Sequence, residues 1–432
     1  MPVRPLKIGL AGLGTVGAAL ARLVAEKRED FAARTGRRPD IVAYSARTAG
    51  DRGLPMGSAI YFADAAEMAA SADIDVFVEL IGGADGPALA AVEAALARGA
   101  PVVTANKAML SAHGVALAER AEAHGVALAF EAAVAGGVPV IKTLREALAG
   151  NRIQRVSGIL NGTCNYILSR MEAERLPFEV CLKEAQRLGY AETDPTFDIG
   201  GFDTAHKLSI LAAIAFGARI DAAAVSVEGI ESITLADLAA ADELGYRIKL
   251  LGVAARTDHG VEQRVHPTMV AKSSALAQTM GVLNAVSIDG DAVGALTLVG
   301  PGAGGAATAS AVASDLADIA RGVVVPAFGR PVAALVENEP ASLQRHEGGY
   351  YVRLSVLDRP GSLATIARRM ADRGISLQSL MQRPGDRADA SHAEVAIITH
   401  ATTETLIREA LELTVQDGVV SDKPQVIRIE RP

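Results

Sequence analysis

The chain has 432 residues, of which 50% are hydrophobic and 21% charged, and its formal net charge is −8. This length and apolar content predict a globular protein of two to four domains. The negative charge argues against a nucleic-acid partner, and no apolar run reaches the length of a membrane span. The two cysteines, Cys164 and Cys181, have no zinc-binding spacing, and the N-terminus lacks an apolar signal segment, so a cytoplasmic protein without structural zinc or a disulfide framework is expected.

The first predicted strand, residues 6–10, runs into a glycine-rich turn and then a helix at 18–26. The turn reads Gly12-Leu-Gly14-Thr-Val-Gly17, the spacing of a dinucleotide-binding turn. Gly12 would make the tight bend, Gly14 would let a pyrophosphate approach the backbone, and Gly17 would allow close helix packing. The pattern favours a dinucleotide site over a plain βα turn.

The second predicted strand, 41–45, follows a charged insertion at 27–40. Folds that select NAD usually place a carboxylate after this strand, whereas here Arg47 and Arg52 follow. Arginine suits a 2′-phosphate, which indicates NADP, with NAD still possible. The alternative is that both are solvated loop arginines.

The βα rhythm continues with a strand at 74–81 and a helix at 87–98. Thr104 and Lys107 then lie at the carboxyl end of the next strand, where open α/β sheets bind ligands. For Lys107, a ligand role and a simple surface position are equally favoured. After the strand at 126–131, Glu131 and the carbonyls of a small-residue turn are the ligand types that a hard cation uses, and an ordinary loop is the alternative.

From Arg152 the pattern changes to that of a second domain, with a strand at 153–160, helices at 164–174 and 178–188, and later a largely antiparallel sheet. The strands of that sheet are predicted at 245–255, 261–270, 284–289 and 295–299. A glycine turn at 300–305 then leads into an alanine-rich helix, 306–321, which is expected to return to the nucleotide domain.

The stretch 189–207 concentrates charge before an apolar helix run: Glu192, Asp194, Asp198, Asp203 and Lys207. If the helix starts near Phe202, Asp203 and Lys207 share one face. A capped helix start with a surface ion pair is one interpretation. The other is a half-buried lysine beside carboxylates, which suits proton transfer.

Residues 326–347 are polar and contain prolines, and they are interpreted as a linker. Beyond them, strands at 350–357, 375–382, 393–399 and 426–429 alternate with helices at 363–373 and 403–413. This β-α-β-β-α-β order is that of a ferredoxin-like sandwich.

Five motifs together resemble the homoserine dehydrogenase family over roughly residues 5–325. They are Gly12 to Gly17, Thr104-Ala-Asn-Lys107, Asn161-Gly-Thr-Cys-Asn-Tyr166, Gly189-Tyr-Ala-Glu192 through Asp203-x-x-x-Lys207, and Gly300-Pro-Gly-Ala-Gly304. Asp358-Arg-Pro-Gly-Ser-Leu363 resembles the start of an ACT domain, so the chain is similar to the monofunctional, ACT-bearing form. Two departures are mild: Cys164 stands where threonine is common, and Thr48 where an acidic residue is frequent.

The expected architecture is α/β. It has a Rossmann-type dinucleotide-binding domain at 1–137, completed by the helix around 305–322, and an α+β catalytic and dimerisation domain at 138–304. The linker 326–347 then leads to a ferredoxin-like ACT regulatory domain at 348–432.

The resemblance implies reversible NAD(P)H-dependent reduction of L-aspartate 4-semialdehyde to L-homoserine, a step toward threonine and methionine. Lys207 would be the proton donor and Lys107 a second donor or orienting group. Glu192, Asp198, Asp203 and Lys107 would bind the substrate. The implied cofactor contacts are Gly12, Gly14, Thr15, Val16, Gly17, Arg47, Thr104, Lys107, Gly189, Glu192 and Gly302.

The resemblance also implies a monovalent cation such as Na⁺ at Glu131 and at the carbonyls of Val134, Gly136 and Val138. It further implies a homodimer or homotetramer and L-threonine as the effector of the ACT domain. Two alternatives are a regulatory protein without turnover, against which Lys207 and Glu192 argue, and a semialdehyde dehydrogenase, which needs a cysteine nucleophile. Cys164 has no histidine beside it in sequence.

Overall fold

The computed structural model describes residues 4–50, 53–337, 341, 346–384 and 392–430. The first unit is a six-stranded parallel sheet of order β3-β2-β1-β4-β5-β6, covered by helices on both faces. Its elements are β1 (Pro5–Ala11), α1 (Thr15–Glu26), α2 (Arg28–Thr35), β2 (Arg38–Ser45), β3 (Ile60–Phe62), α3 (Ala65–Ser71), β4 (Val76–Glu79), α4 (Pro87–Ala97), β5 (Val102–Thr104), α5 (Lys107–Ala123) and β6 (Leu128–Ala129).

The packing of strand β4 explains why residues 76–78 are all apolar. Val76 and Val78 enter one core with α1, whereas Phe77 enters the core on the opposite face with α4 and α5. Because both faces are covered, every side chain of the strand is buried.

The predicted insertion at 27–40 is wrong in part, because α2 forms over Arg28–Thr35 and β2 already begins at Arg38. Gly36 ends α2 in the left-handed conformation, with φ +74°. Strand β3 and helix α3 are not among the predicted elements. Helix α3 is short and starts at the cap Asp64, whose carboxylate accepts the backbone N–H of Ala66.

The second unit starts with a 3₁₀ turn at Glu131–Ala133 and a short helix that continues into a π turn at Thr143–Ala147. Its elements are α6 (Val140–Lys142), β7 (Ile153–Ile159), α7 (Gly162–Glu174), α8 (Phe178–Arg187), α9 (Thr196–Ile199), α10 (Phe202–Phe216), β8 (Ser226–Val227), α11 (Leu235–Glu243), β9 (Tyr246–Thr257), β10 (Gly260–Ala271), α12 (Ala275–Gln278), β11 (Leu283–Gly290), β12 (Gly294–Pro301) and α13 (Gly305–Ala320).

Helix α10 lies between α5 of the first unit and strands β7, β9 and β10 of the second. Its residues from Leu208 to Phe216 are all buried, because the helix is covered on every side. Helix α13 returns to the first unit and packs on α1, and Asp315 accepts the backbone N–H of Glu131 at 2.9 Å.

The stretch predicted as a linker differs from a free tether. Phe328 and Val332 are buried, and the backbone of Val336 pairs with Gly217 and Arg219 at the end of α10. Residues 326–336 therefore pack both on the second unit and on α5 of the first, where the N–H of Val332 donates to the carboxylate of Glu122. Residues 338–340 and 342–345 lie outside the described residues.

The third unit has the strand order β17-β13-β15-β14 with two helices on one face, which confirms the ferredoxin-like fold. Its elements are β13 (Glu347–Leu357), α14 (Ser362–Asp372), β14 (Leu377–Pro384), β15 (His392–Thr399), β16 (Thr402–Thr403), α15 (Glu404–Gln416) and β17 (Gln425–Glu430).

The third unit is joined to the second by a shared sheet, because β17 pairs with β10. Buried charges cross this junction: Arg264 of β10 contacts Glu430 of β17 at 2.5 Å, and Arg155 of β7 contacts the same carboxylate. Arg353 of β13 also reaches the buried Asp237 of α11 at 2.7 Å. The module is thus docked through strands and ion pairs, not held by the connecting segment alone.

Candidate active site

The carboxyl edge of the parallel sheet is organised by Glu79, the last residue of β4, which is fully buried. Its carboxylate accepts the N–H groups of Ile81 and Gly82 at 2.7 and 2.9 Å, and the hydroxyl of Thr104 at 2.5 Å. Thr104 therefore fixes the two strand ends relative to each other. Sequence reasoning missed Glu79, although a carboxylate that ends an apolar strand is an available signal.

Lys107 is the first residue of α5 because Asn106 caps that helix. The Asn106 side chain accepts the N–H of Met109 at 3.1 Å and donates to the carbonyl of Gly83 at 2.7 Å. From this anchored position the Lys107 ammonium group lies 3.2 Å from Oδ1 of Asp203.

Asp203 is the centre of the site. It stands in the first turn of α10, two residues after the N-cap Gly201, whose φ is +88°. Lys207, one turn later, donates from Nζ to Oδ2 of Asp203 at 2.6 Å and to the carbonyl of Leu160 at 2.7 Å. One carboxylate thus joins two lysines from two domains.

The electrostatics of this arrangement keep Asp203 ionised. Burial by itself would raise the pKa of the Asp203 carboxyl, but Lys207 and Lys107 outweigh it and lower that pKa to about 2. The site therefore holds a fixed negative charge between two cationic groups.

Asn161 adds a second carboxylate to the cluster. Its amide nitrogen donates to Oδ1 of Asp198 at 2.8 Å and to Oδ2 of Asp203 at 2.9 Å. Burial, together with the nearby Asp203 charge, raises the pKa of Asp198, and the Asn161 hydrogen bond opposes that rise. The sequence motif contained Asn161, but no role had been assigned to it.

The structure does not bring every predicted residue into this cluster. Glu192 is exposed, and its carboxylate makes no hydrogen bond or ion pair with any residue that the structure describes. Gly189 is also exposed, with φ +76°, in the loop that leads to Glu192. The predicted substrate and cofactor roles of these two residues remain predictions.

The cleft above β1 fits a dinucleotide. A Cβ on Gly12 would lie 2.4 Å from the carbonyl oxygen of Leu80, and one on Gly17 would lie 1.9 Å from that of Gly12, whereas a Cβ on Gly14 would meet nothing within 4 Å. Gly14 therefore borders open space at the N-terminus of α1, where Thr15 and Val16 present backbone N–H groups.

The cavity at this turn has a volume of about 1080 Å³. Arg47, which is exposed after β2, lies on its wall together with Asp64. Gly302 lies outside this cavity wall and packs against Asn284, which a Cβ at Gly302 would overlap. Asp64, which is not among the predicted site residues, places a carboxylate in the same cavity as Arg47.

The predicted cation loop has an unusual backbone. Ala135 and Gly136 are consecutive left-handed residues, with φ +55° and +46°. The Glu131 carboxylate accepts the N–H groups of Ile141 and Lys142 at 2.9 and 2.8 Å, so it caps α6. Burial and the neighbouring Asp315 raise the pKa of Glu131 to about 7.

Side-chain metal chemistry finds no support in the described part of the chain, where no group of three or more His, Cys, Asp or Glu residues converges. That observation does not bear on a site built from carbonyls. The predicted ligands Glu131, Val134, Gly136 and Val138 therefore stay a prediction.

Cys164 is not an available nucleophile. It is fully buried, its Sγ donates to the carbonyl of Asp198 at 3.2 Å, and burial raises the pKa of its thiol well above the usual range. Acyl chemistry through this cysteine, which a semialdehyde dehydrogenase would need, is not supported.

The fold and the site define the class of protein: a dinucleotide-dependent oxidoreductase whose lysine and carboxylate groups meet between two domains. Family models agree with this division, matching homoserine dehydrogenase, NAD binding domain, at residues 12–131, homoserine dehydrogenase at 139–317 and ACT domain at 350–415. The chain belongs to the homoserine dehydrogenase family and is an oxidoreductase. No described helix is long and apolar enough to cross a membrane.

Two homoserine dehydrogenases illustrate the relationship in sequence. The one from Pseudomonas aeruginosa is 42% identical over 438 residues, which cover 99% of this chain and 100% of the relative. The one from Neisseria gonorrhoeae is also 42% identical, with 99% of each chain covered.

Solved structures show the same relationship. A homoserine dehydrogenase from Thiobacillus denitrificans has a TM-score of 0.92 and 41% identity, over 99% of this chain and 98% of that one. A hyperthermophilic archaeal homoserine dehydrogenase in complex with NADPH has a TM-score of 0.64 and 27% identity, over 74% of this chain and 99% of that one.

Proposed function

We propose that the enzyme interconverts L-aspartate 4-semialdehyde and L-homoserine at the Asp203 cluster, with Lys207 as the proton donor in reduction. The observation that carries this proposal is the single buried carboxylate of Asp203 between the ammonium groups of Lys107 and Lys207. A bound nicotinamide supplies the hydride that reduces the aldehyde carbon.

Lys207 is arranged for proton transfer. Two of its N–H groups are used by Asp203 and by the Leu160 carbonyl, and within the described residues the third remains for a substrate oxygen. A proton from Nζ to that oxygen completes the hydroxyl of homoserine. Lys107, at the end of the dinucleotide sheet, orients the same oxygen or serves as a second donor.

The substrate's amino group is cationic, so the carboxylates Asp198 and Asp203 favour its binding, and Glu192 is proposed to close over it from the exposed loop. Oxidation of NADPH or NADH followed at 340 nm with L-aspartate 4-semialdehyde tests the proposal. Turnover that requires the semialdehyde supports it, and an enzyme inert to both cofactors would refute it.

NADP is proposed as the preferred cofactor, because the cavity wall after β2 presents Arg47 where an NAD-selective site presents a carboxylate. Asp64 on the same wall opposes this preference, although its Oδ1 is occupied by the N–H of Ala66. NAD therefore stays the competing cofactor, and the predicted contacts of Thr104, Lys107 and Gly302 with the cofactor are part of this proposal.

A monovalent cation such as Na⁺ is proposed at Glu131 and at the carbonyls of Val134, Gly136 and Val138, with a structural role. The support is the consecutive left-handed pair Ala135 and Gly136, because a left-handed non-glycine residue costs energy and such strain is concentrated at functional sites. Its position between β6 and α6 would stabilise the joint between two domains.

Feedback control by L-threonine through the ACT domain is proposed, in a cytoplasmic homodimer or homotetramer that serves threonine and methionine biosynthesis. Gly361, with φ +96°, exposes the N-terminus of α14 as a place for a charged effector. An effector acts only through different affinity for two states, so a route to the active site is needed. The pairing of β17 with β10 supplies one.

Initial rates against threonine concentration, for the whole chain and for a chain ending at Val336, test this regulation. Retained activity without a threonine response in the shortened chain supports it. A smaller oligomer with an unchanged response would instead assign the module to assembly. Indifference of the whole chain to threonine, isoleucine and methionine alike would refute the regulatory role.

A further inference from the structure

We propose that Asn161 is a positioning residue that holds the carboxylates of Asp198 and Asp203 together as one anionic pair for the substrate's ammonium group. The inference rests on the proposed function of the Asp203 cluster. It adds a residue whose side chain is outside the set assigned to catalysis or binding.

The geometry of Asn161 leaves one orientation of its amide. The N–H of Cys164 donates to Oδ1 at 2.8 Å, which makes Asn161 the N-terminal cap of α7. The amide nitrogen must then face Asp198 and Asp203, and its two hydrogens suffice for one bond to each carboxylate. The Asn161 side chain and Asp203 are buried and Asp198 is half-buried, so the amide itself has little access to water.

Of the two carboxylates, Asp198 depends more on the Asn161 amide. Asp203 is compensated by Lys107 and Lys207, whereas the Asp198 carboxylate has the Asn161 amide as its hydrogen-bond donor among the described residues. The charged groups that face Asp198 are Asp203 and Lys207 of α10 and Lys107 of α5. Without the amide, burial and the Asp203 charge would favour a protonated Asp198, which binds an ammonium group poorly.

Capping and bridging can be separated by substitution. Asn161→Ser keeps an oxygen that caps α7, because serine is also a favourable N-terminal cap. The variant removes the two amide N–H groups that donate to Asp198 and Asp203. Asn161→Asp keeps the shape and the cap but places a third carboxylate against the pair. The first variant removes the bridge and the second reverses its electrostatic effect.

Steady-state kinetics of homoserine oxidation by the intact enzyme from pH 5 to 9 provide the test. Asn161→Ser is expected to raise KM for homoserine roughly 10- to 100-fold, the range for losing a hydrogen bond to a charged group. The acid limb of kcat/KM should move to higher pH, while kcat changes much less because Lys207 keeps both of its contacts. Asn161→Asp should raise KM further.

The matched control is Asn165→Ser in the same helix. Asn165 is equally buried, but its amide donates to the carbonyls of Thr279 and Leu283, away from the carboxylates. It should lower stability and leave KM and the acid limb unchanged. An equal KM increase in both variants, or an unchanged KM in Asn161→Ser, would overturn the positioning role.

A second measurement does not depend on turnover. The carboxyl carbons of ¹³C-labelled aspartate can be titrated by NMR in the wild type and in Asn161→Ser. A higher apparent pKa of Asp198 in the variant supports the bridge, and an unchanged one refutes it. If the wild type failed to oxidise homoserine, the proposed function would fall, and this titration would still decide the role of Asn161.

Discussion

Replacement of Lys207 by alanine is the sharpest test of the proposed chemistry. The change removes the Nζ contacts with Asp203 and Leu160 at 2.6 and 2.7 Å, together with the proposed proton donor. Loss of a general acid typically costs at least about 100-fold in turnover, which corresponds to about 2.7 kcal/mol of transition-state stabilisation. We therefore expect kcat to fall by roughly 100-fold or more.

Stability should change less than activity. Lys107 and Lys207 lower the pKa of Asp203 from 3.8 to about 2, and this difference is worth about 2.5 kcal/mol above pH 4. Because the folded pKa is depressed, that stability is present at neutral pH and is lost as the pH falls through the range from 3.8 to 2. Because the two lysines also offset the effect of burial, loss of Lys207 should remove much of this contribution, while Lys107, 3.2 Å from Asp203, keeps the carboxylate paired, so the variant should still fold.

Lys207→Arg separates charge from proton transfer, since a guanidinium retains the ion pair but is not deprotonated in proteins. It should recover stability in thermal unfolding without recovering kcat, and Lys183→Ala on the exposed side of α8 should change neither. A Lys207→Ala enzyme with kcat within a few-fold of wild type would remove Lys207 from the mechanism, as would an active Lys207→Arg enzyme.

Three further predictions concern the cofactor and the domain junction. The kcat/KM of wild type should be higher with NADPH than with NADH, and Arg47→Ala should lower the ratio of the two values roughly 10-fold. A wild type with a higher kcat/KM for NADH would contradict the assignment of NADP. Glu430→Gln removes the negative charge that Arg264 and Arg155 share. The free energy of unfolding, measured by urea denaturation, should therefore fall by roughly 3 kcal/mol. If the fall is no larger than that caused by Glu412→Gln, at an exposed position, these ion pairs contribute little to stability. Burial lowers the pKa of His346 from 6.5 to about 4, so neutral His346 is tolerated above pH 6.5 and the folded state loses stability as the pH falls from 6.5 toward 4. Over that window the free energy of unfolding should fall by up to about 3 kcal/mol more in wild type than in His346→Gln. Equal pH dependence of the free energy of unfolding in the two proteins would refute this prediction.

The chain that ends at Val336 should also be less stable than the whole chain. Removal of the third unit exposes the edge of β10 and the buried Arg264, which removal of a domain held only by a flexible linker would not do. Sequence composition between 326 and 347 could not show this, because prolines and polar residues are typical both of linkers and of irregular segments that pack on a domain.

Part of the candidate site can be predicted from the sequence, because the features concerned are local. The expected roles of Gly12, Gly14 and Gly17 follow from their spacing in one turn. In the structure a Cβ would clash with backbone atoms at Gly12 and Gly17, whereas Gly14 borders open space. Asp203 and Lys207 are one helical turn apart, so their pairing needs no knowledge of the rest of the fold.

Other features came only from the tertiary structure, because they join residues far apart in the chain. Asn161 reaches Asp203 across 42 residues and Arg264 reaches Glu430 across 166, and no local periodicity predicts either contact. The sequence does not decide between a surface and a ligand role for Lys107, whereas the packing of α5 against α10 brings its ammonium group to Asp203. Residue types and local turns can be predicted from the chain, whereas the contacts between charged groups depend on how the domains pack, since a buried carboxylate stays ionised only where the fold supplies its partners.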